Sequence, residues 1–532
     1  MFVLDNQQWI APERYNLTSE MEQHPGDKVA LKWLNDEGNC TEITYENLRK
    51  QANQLAGGLA GLGLHKGDRV LVMVPRSIIT YVIYLACLKQ GLAIIPSSEM
   101  LRAKDLSYRL RHSEARAVIA FSEGTHEVDK IEEDMPSLDF RLSVSGDGNV
   151  GSEWVDLETL MNGQADTFAT VDSHRDDIAI LAYTSGTTGN PKAVVHSHGW
   201  AYAHLRITSS LWFDIRETDT VWATAAPGWQ KWIWSPFLTV LGNGATGFVY
   251  NGSFKPALYL QLLQDQGIQV LCCTPTEYRL MAKTEGLDNY DLSKLRCAVS
   301  AGEPLNQEVI KTFQKHFDIT IRDGYGQTES TLLIGTFKDT PVRTGSMGKA
   351  IAEGIVEVID EKGNPLPTGV VGDIAVHLSM PALFQTYYKD PDRKENCSNG
   401  NYFITGDRAR KDEDGYFWFE GRGDDIIISS GYTIGPFEVE DALMKHPSVK
   451  ECAVVASPDE IRGHIVKAFI VLKDEISGSP ELVKELQSHV KEWTAPYKYP
   501  RKIQFVQDLP KTSSGKIRRI ELREQEDKAF QK

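Results

Sequence analysis

Asp177-Ile-Ala-Ile-Leu-Ala-Tyr-Thr-Ser-Gly-Thr-Thr-Gly-Asn-Pro-Lys192 is the stretch on which the reading of this chain turns. Its first part, through Ala182, is a short apolar run, the pattern of a buried strand. What leaves that strand is a loop of small residues: glycines at 186 and 189 let backbone N–H groups approach an anion, and the hydroxyls of Thr184, Ser185, Thr187 and Thr188 and the Lys192 ammonium add donors. A strand that empties into such a loop is a phosphate grip. It differs from the Walker A motif, because at the spacing where Gly-Lys-Ser/Thr belongs the chain has Pro191-Lys192-Ala193, with no hydroxyl for magnesium. The grip points to nucleotide or phosphometabolite chemistry and by itself leaves open which.

Outward from this stretch, short apolar runs alternate with helix-like segments from about residue 28 to 250. Residues 69–74 and 115–121 read as strands, and Ile78 to Gln90 as a helix ending at Gly91. Residues 268–273 and 295–300 repeat the pattern of a strand ending in a polar loop. The alternation predicts an α/β fold with mostly parallel sheet. Ligands gather at the carboxyl ends of strands in such sheets, which singles out the loops Thr274-Pro-Thr276, Ala301-Gly-Glu-Pro304 and Asp323 to Glu329. After residue 345 the pattern turns to β: Arg408 to Glu420 carries an acidic-glycine turn between two strand-like arms. Gly421-Arg-Gly-Asp-Asp425 reads as a connector, followed by a helix near 439–445, strands near 451–456 and 465–472, and a helix near 480–493. The expected architecture is a large N-terminal domain, residues 1–423, of mixed and parallel sheets with helices plus a β-subdomain, then a small mobile α+β domain, residues 424–532.

Composition narrows the function. A chain of 532 residues needs more than one core. The formal charge of −16 speaks against nucleic acid as a partner, and no apolar run approaches the length that spans a bilayer. The start, Met1-Phe-Val-Leu-Asp-Asn-Gln-Gln, has neither the basic residues nor the apolar core of a signal peptide. Seven cysteines without a C-x-x-C suit reduced thiols. A cytoplasmic protein is expected.

Further motifs follow the grip in order: Gly302-Glu-Pro304, Asp323-Gly-Tyr-Gly-Gln-Thr-Glu329, Thr405-Gly-Asp407, Gly421-Arg-Gly-Asp-Asp425, Ser430-Gly-Tyr-Thr-Ile-Gly-Pro436 and Pro510-Lys-Thr-Ser-Ser-Gly-Lys516. Over nearly the whole chain this set resembles the adenylate-forming superfamily of acyl-CoA synthetases, peptide-synthetase adenylation domains and luciferases. Ser-Gly-Tyr-x-Ile-Gly-Pro-Phe-Glu-Val-Glu is similar in wording to medium-chain acyl-CoA synthetases. The resemblance implies activation of a carboxylate by ATP and Mg2+ to acyl-AMP, then thiolysis by coenzyme A.

It also implies roles. Thr184 to Gly189 and Lys192 would hold the β- and γ-phosphates. Glu329 would be the magnesium ligand, a hard oxygen donor, and Thr328, after Gln327, would donate to the α-phosphate. Tyr325, between Gly324 and Gly326, offers a face to adenine, with Gly302, Glu303 and Pro304 on the other side and Asp323 at the amino group. Asp407 and Arg422 would bind the ribose. Lys516 would bridge carboxylate and α-phosphate, Asp424 would be the hinge, and Gly431 would line the pantetheine path. Acetylation of Lys516 would remove its charge. Relatives carry a cation where this chain has Thr433, and Arg501 or Lys502 would have to compensate.

For the acyl group, acetyl-CoA synthetases carry a Trp where this chain has Gly326, so a pocket larger than acetate is expected. Trp229, with Ala301 and Gly326, is the candidate wall; Trp232 and Trp234 read as core. A medium-chain or branched short-chain acid fits best. The alternatives are an aryl-CoA ligase and a stand-alone adenylation enzyme that loads a carrier protein.

Overall fold

The computed structural model describes residues 7–144, 151–184, 191–303, 305–423, 425–429, 432–459, 463–474, 476–494, 496–512 and 516–530. Ser185, Gly186, Thr187, Thr188, Gly189, Pro304, Asp424 and Gly431 therefore lie outside the described residues. The chain divides into two compact units: Met1–Gly302 with Thr312–Pro341 and Leu378–Cys397, and Glu303–Lys311 with Val342–His377 and Ser398–Lys532. The expected boundary at residue 424 falls inside the second.

The first unit is α/β. One of its sheets runs Val155–Asp156, Phe140–Val144, Ala117–Phe121, Arg69–Met73, Ala93–Pro96, Ile178–Thr184, Lys192–Ser197, parallel except for its last pair. The strands are near-continuous apolar runs because parallel sheets are covered on both faces. The helix Ile78–Lys89 is apolar all round and buried from Thr80 onward. The other sheet places Cys297–Ala301 between Val270–Cys273 and Ile321–Gly326, all parallel, and Leu332–Gly335 returns antiparallel to Ile321–Gly326.

Two expected loops are structured. Thr274 caps the helix Pro275–Met281 through a capping box with Glu277, a Thr-x-x-Glu signal present in the sequence. Asp323 to Gly326 is strand rather than loop, because Cys297–Ala301 pairs Asp323 and Gly324 and Leu332–Gly335 pairs Gly324 to Gly326, in spite of the weak β-propensity of the stretch.

The second unit carries the expected hairpin, Tyr402–Lys411 against Tyr416–Arg422, in an antiparallel sheet with Val356–Ile359 and Gly372–His377. A further sheet joins Val449–Asp459, Gly463–Leu472 and Lys502–Phe505, with the helices Pro436–Met444 and Pro480–Trp493 packed on it around Val439, Leu443, Val454, Ile470, Leu486 and Val490. Among the described residues no helix is long and apolar enough to cross a membrane.

Candidate active site

In the first unit, Lys192 pairs directly opposite Thr184 across the last two strands of the sheet. This register brings the two ends of the glycine loop together. The Thr184 hydroxyl is buried with no hydrogen-bond partner among the described residues, and a buried orphan donor is costly unless a ligand satisfies it.

The Lys192 ammonium reaches two groups, the Glu329 carboxylate at 3.0 Å and the Tyr387 hydroxyl at 3.0 Å. Tyr387 in turn donates to Glu329 at 2.9 Å. Both contacts to the carboxylate fall on one oxygen, Oε1. Glu329 and Tyr387 are buried. Burial, reinforced by the Glu329 carboxylate, pushes the Tyr387 hydroxyl far above the usual phenol range, so it remains a donor. Sequence reasoning missed Tyr387. It arrives because residues 385–388 pair along Lys192–Ser197: Val195 N–H donates to the Thr386 carbonyl, Gln385 N–H to Val195, and Tyr388 N–H to Ala193. The β-prone aromatics and threonine of Phe384-Gln-Thr-Tyr-Tyr388 hinted at a strand, but not at its partner.

The segment that presents Thr328 and Glu329 is fixed carbonyl by carbonyl. Gln327 C=O accepts from Ser330 N–H at 3.0 Å and Glu329 C=O from Phe384 N–H at 2.8 Å. Thr328 C=O accepts from His196 Nε2 at 2.7 Å, and Ser330 C=O from the Trp200 indole at 3.0 Å. The Thr331 hydroxyl bonds His204 Nδ1 at 2.7 Å, and His204 Nε2 donates to the Trp234 carbonyl at 3.1 Å. Trp200 and His204, four apart on one helix face, stack with centroids 5.0 Å apart, and His196 lies 4.4 Å from Trp200. Burial lowers His196 to about 3 and His204 to about 4, against carbonyl bonds that favour the charged form. Both rings are therefore neutral braces near neutral pH. This histidine–tryptophan bracket was also missed; the i, i+4 spacing of Trp200 and His204 was the available signal.

Around Tyr325 the backbone is tightly approached. A Cβ at Gly324 would lie 2.6 Å from the Trp212 ring, whose indole donates to the Asp323 carbonyl at 3.1 Å. A Cβ at Gly326 would lie 2.2 Å from the Thr331 carbonyl and 3.2 Å from the Trp234 ring. The place of a side chain at Gly326 is thus taken by the Thr331 carbonyl with the Trp234 ring next to it, and the buried Trp234 indole nitrogen has no partner among the described residues. Trp232 is core, packed on Tyr81, Tyr84 and Phe237. Trp229 is half-buried, and the neighbouring Lys231 ammonium holds the Ala301 carbonyl ahead of the exposed Gly302.

The second unit holds the other candidates. Asp407 and Arg422 are direct cross-strand partners, with the guanidinium 3.9 Å from the buried carboxylate. Glu303 is half-buried. Lys516 is exposed, and its backbone is tied to Thr512: Thr512 N–H donates to the Lys516 carbonyl at 2.8 Å and Lys516 N–H to the Thr512 hydroxyl at 3.1 Å. Thr433 lies in the strand Tyr432–Ile434, and Arg501 is engaged with the Tyr499 hydroxyl at 2.9 Å.

Among the described residues no group of three or more His, Cys, Asp or Glu side chains could cage a metal. A single buried carboxylate fits magnesium in the mode where phosphates and water complete the shell, and Glu329 is such a carboxylate.

Residues 17–388 match the model of the AMP-binding enzyme family, and residues 438–516 that of the AMP-binding enzyme C-terminal domain. The uncharacterized acyl-CoA ligase YtcI of Bacillus subtilis (strain 168) is 59% identical over 99% of this chain and 98% of its own length. The mitochondrial acyl-coenzyme A synthetase ACSM3 of Rattus norvegicus is 41% identical over 93% and 86%. The crystal structure of the anthranilate CoA ligase AuaEII in complex with anthranoyl-AMP superposes with a TM-score of 0.90 at 28% identity, over 98% of this chain and 99% of that one. Fold and matches define the class as AMP-forming ligases. The chain belongs to the AMP-binding enzyme family, among its acyl-CoA synthetases.

Proposed function

We propose that the protein activates a medium-chain or branched short-chain carboxylic acid with ATP to acyl-AMP and then transfers the acyl group to coenzyme A. In the first step a carboxylate oxygen attacks the α-phosphorus and pyrophosphate leaves. In the second the coenzyme A sulfur attacks the acyl carbonyl and AMP leaves. The observation that carries this reading is the buried Lys192–Glu329–Tyr387 cluster beside the unpartnered Thr184 hydroxyl. A cation, a carboxylate and an orphan donor meet where the glycine loop begins and ends.

In this reading Thr184 through Gly189 and Lys192 receive the β- and γ-phosphates and Thr328 donates to the α-phosphate. Glu329 holds magnesium, which when bound offsets the phosphate charge. Asp323 and Tyr325 face adenine together with Gly302, Glu303 and Pro304, and Asp407 and Arg422 take the ribose. Lys516 neutralises charge gathering between carboxylate and α-phosphate. Asp424 serves as hinge at the 423/424 boundary, and Gly431 lines the pantetheine path. The compartment we propose is the cytoplasm, and acetylation of Lys516 would switch off the first step.

Gly326 and Trp234 set the acyl pocket. Gly326 adds no side chain there and the Trp234 ring borders it, which supports acids longer than acetate. A second reading, an aromatic acid, draws support from the likeness to the anthranilate CoA ligase structure.

The test is pyrophosphate release over a panel of acetate, butyrate, isobutyrate, isovalerate, hexanoate, octanoate and benzoate, with and without coenzyme A. Highest kcat/KM on a medium or branched acid is expected, and Trp234→Ala should move the optimum to longer chains, gaining roughly fourfold per added methylene at about 0.8 kcal/mol each. Preference for benzoate selects the aromatic reading; turnover that needs a carrier protein and ignores coenzyme A overturns both.

A further inference from the structure

Without nucleotide, the Glu329 carboxylate already has a cation beside it. Its Oε1 is already bound by the Lys192 ammonium at 3.0 Å and the Tyr387 hydroxyl at 2.9 Å, in a buried setting where solvent screens little. A divalent cation at the same oxygen would face the ammonium as a like charge. Nor does any cluster of three or more His, Cys, Asp or Glu among the described residues offer an alternative cage.

We propose that Lys192, Glu329 and Tyr387 form a closed triad that excludes the divalent cation until a nucleotide arrives, and that Tyr387 is the positioning residue that keeps Glu329 aimed once it has. The inference rests on the reading of Glu329 as the magnesium ligand. Phosphate oxygens of an incoming nucleotide compete for the Lys192 ammonium. When Lys192 turns to them, the Tyr387 hydroxyl loses an incoming donor but keeps its own proton on Glu329. The carboxylate is then stripped of its cation while still oriented by a hydrogen bond. This makes the order of binding a consequence of structure: nucleotide, or nucleotide already carrying metal, but never metal first.

The place of Tyr387 does not depend on the triad. Backbone bonds along Lys192–Ser197 hold residues 385–388, and the ring packs on Phe384 with centroids 4.8 Å apart. Tyr387→Phe therefore removes the hydroxyl and leaves the frame, which makes the residue a clean test.

The measurement is proton relaxation enhancement of Mn2+, which separates protein-bound ion from ion on free nucleotide and needs no turnover. The probes are Mn2+ alone and Mn2+ with α,β-methylene-ATP. The unaltered protein should show no bound Mn2+ alone and strong enhancement with the nucleotide. Lys192→Met should bind Mn2+ without nucleotide. Tyr387→Phe should need roughly ten- to a hundredfold more Mn2+ in the presence of nucleotide, the usual loss when a ligand's hydrogen-bond partner is removed. Equal Mn2+ binding with and without nucleotide, or a Lys192→Met protein that still refuses Mn2+ alone, overturns the closed triad. A Tyr387→Phe titration equal to that of the unaltered protein overturns the positioning role. Glu329→Gln separates this inference from the reading beneath it. If that variant still takes up Mn2+ with nucleotide as the unaltered protein does, the magnesium assignment fails and the triad with it. If only the acid panel yields no acyl-CoA, the reaction assignment fails while the titration still decides the triad.

Discussion

Glu329 and Lys516 are both charged groups assigned to the adenylation step, and their settings differ in kind. Glu329 is buried, bound by two side chains, and carried on a segment whose successive carbonyls from Gln327 to Ser330 are each fixed by a donor. Lys516 is exposed, and its backbone makes two hydrogen bonds to Thr512. The contrast is one of setting: the Glu329 carboxylate is oriented by the fold, whereas the exposed Lys516 is the group we propose to be brought up for one half-reaction and withdrawn for the other. Electrostatic preorganisation is worth most where the surroundings are dry and rigid. A group that must serve only one of two half-reactions gains nothing from being rigid.

The comparison can be broken from its Lys516 side first, where the largest effect is expected. Lys516→Ala should lower acyl-AMP formation by roughly 100- to 1,000-fold, as for loss of one transition-state donor, while thioester formation from supplied acyl-AMP persists. Equal loss in both half-reactions, followed by separate assays, removes Lys516 from its assigned role.

A smaller effect is expected on the preorganised side. His196→Leu leaves the part-buried Thr328 carbonyl without its donor, at a cost of about 1–3 kcal/mol. We expect a fall in adenylation kcat of at least roughly fivefold, the low end of that range, with partial recovery in His196→Gln, which restores an N–H. A drop in melting temperature with kcat untouched would reduce the histidine to a packing residue.

The last expectation concerns protons and acts on stability, leaving the rate at neutral pH unchanged. Folding lowers the pKa of His196 to about 3 and of His198 and His204 to about 4, chiefly through burial. As pH falls below the ordinary histidine range the unfolded chain takes up protons first, so stability declines with falling pH and the loss is complete only below the folded values. At pH 5 each histidine should subtract about 2 kcal/mol relative to pH 7. Imidazole NMR signals of the three that stay neutral down to pH 5 agree with this; titration near pH 6.5 contradicts it.

The phosphate strand, the helix at residue 78, the 408–420 hairpin and the Pro480–Trp493 helix were legible in the sequence because local periodicity and turn chemistry specify them. The candidate residues were legible as motifs for a different reason, that their order along the chain matches a family. What could not be read is what holds them. Tyr387 reaches Glu329 from 58 positions away, and His196 braces Thr328 across 132. Pairings of that span depend on sheet register, which no local pattern encodes. Asp323 to Gly326 is the converse case, a loop-like wording made into strand by its neighbour. Gly326 shows the same limit at one residue, since the vacancy inferred from its missing side chain is taken by the Thr331 carbonyl and bordered by Trp234, an indole read from the sequence as core.

The central claim, a two-step ligation through an adenylate, is tested most directly by rapid-quench single turnover with α-labelled ATP and the best acid of the panel. The account predicts stoichiometric acyl-AMP and pyrophosphate before coenzyme A is added, then conversion to AMP and acyl-CoA in equal amounts once it is. Formation of ADP and phosphate, or pyrophosphate release only after coenzyme A is present, would contradict it.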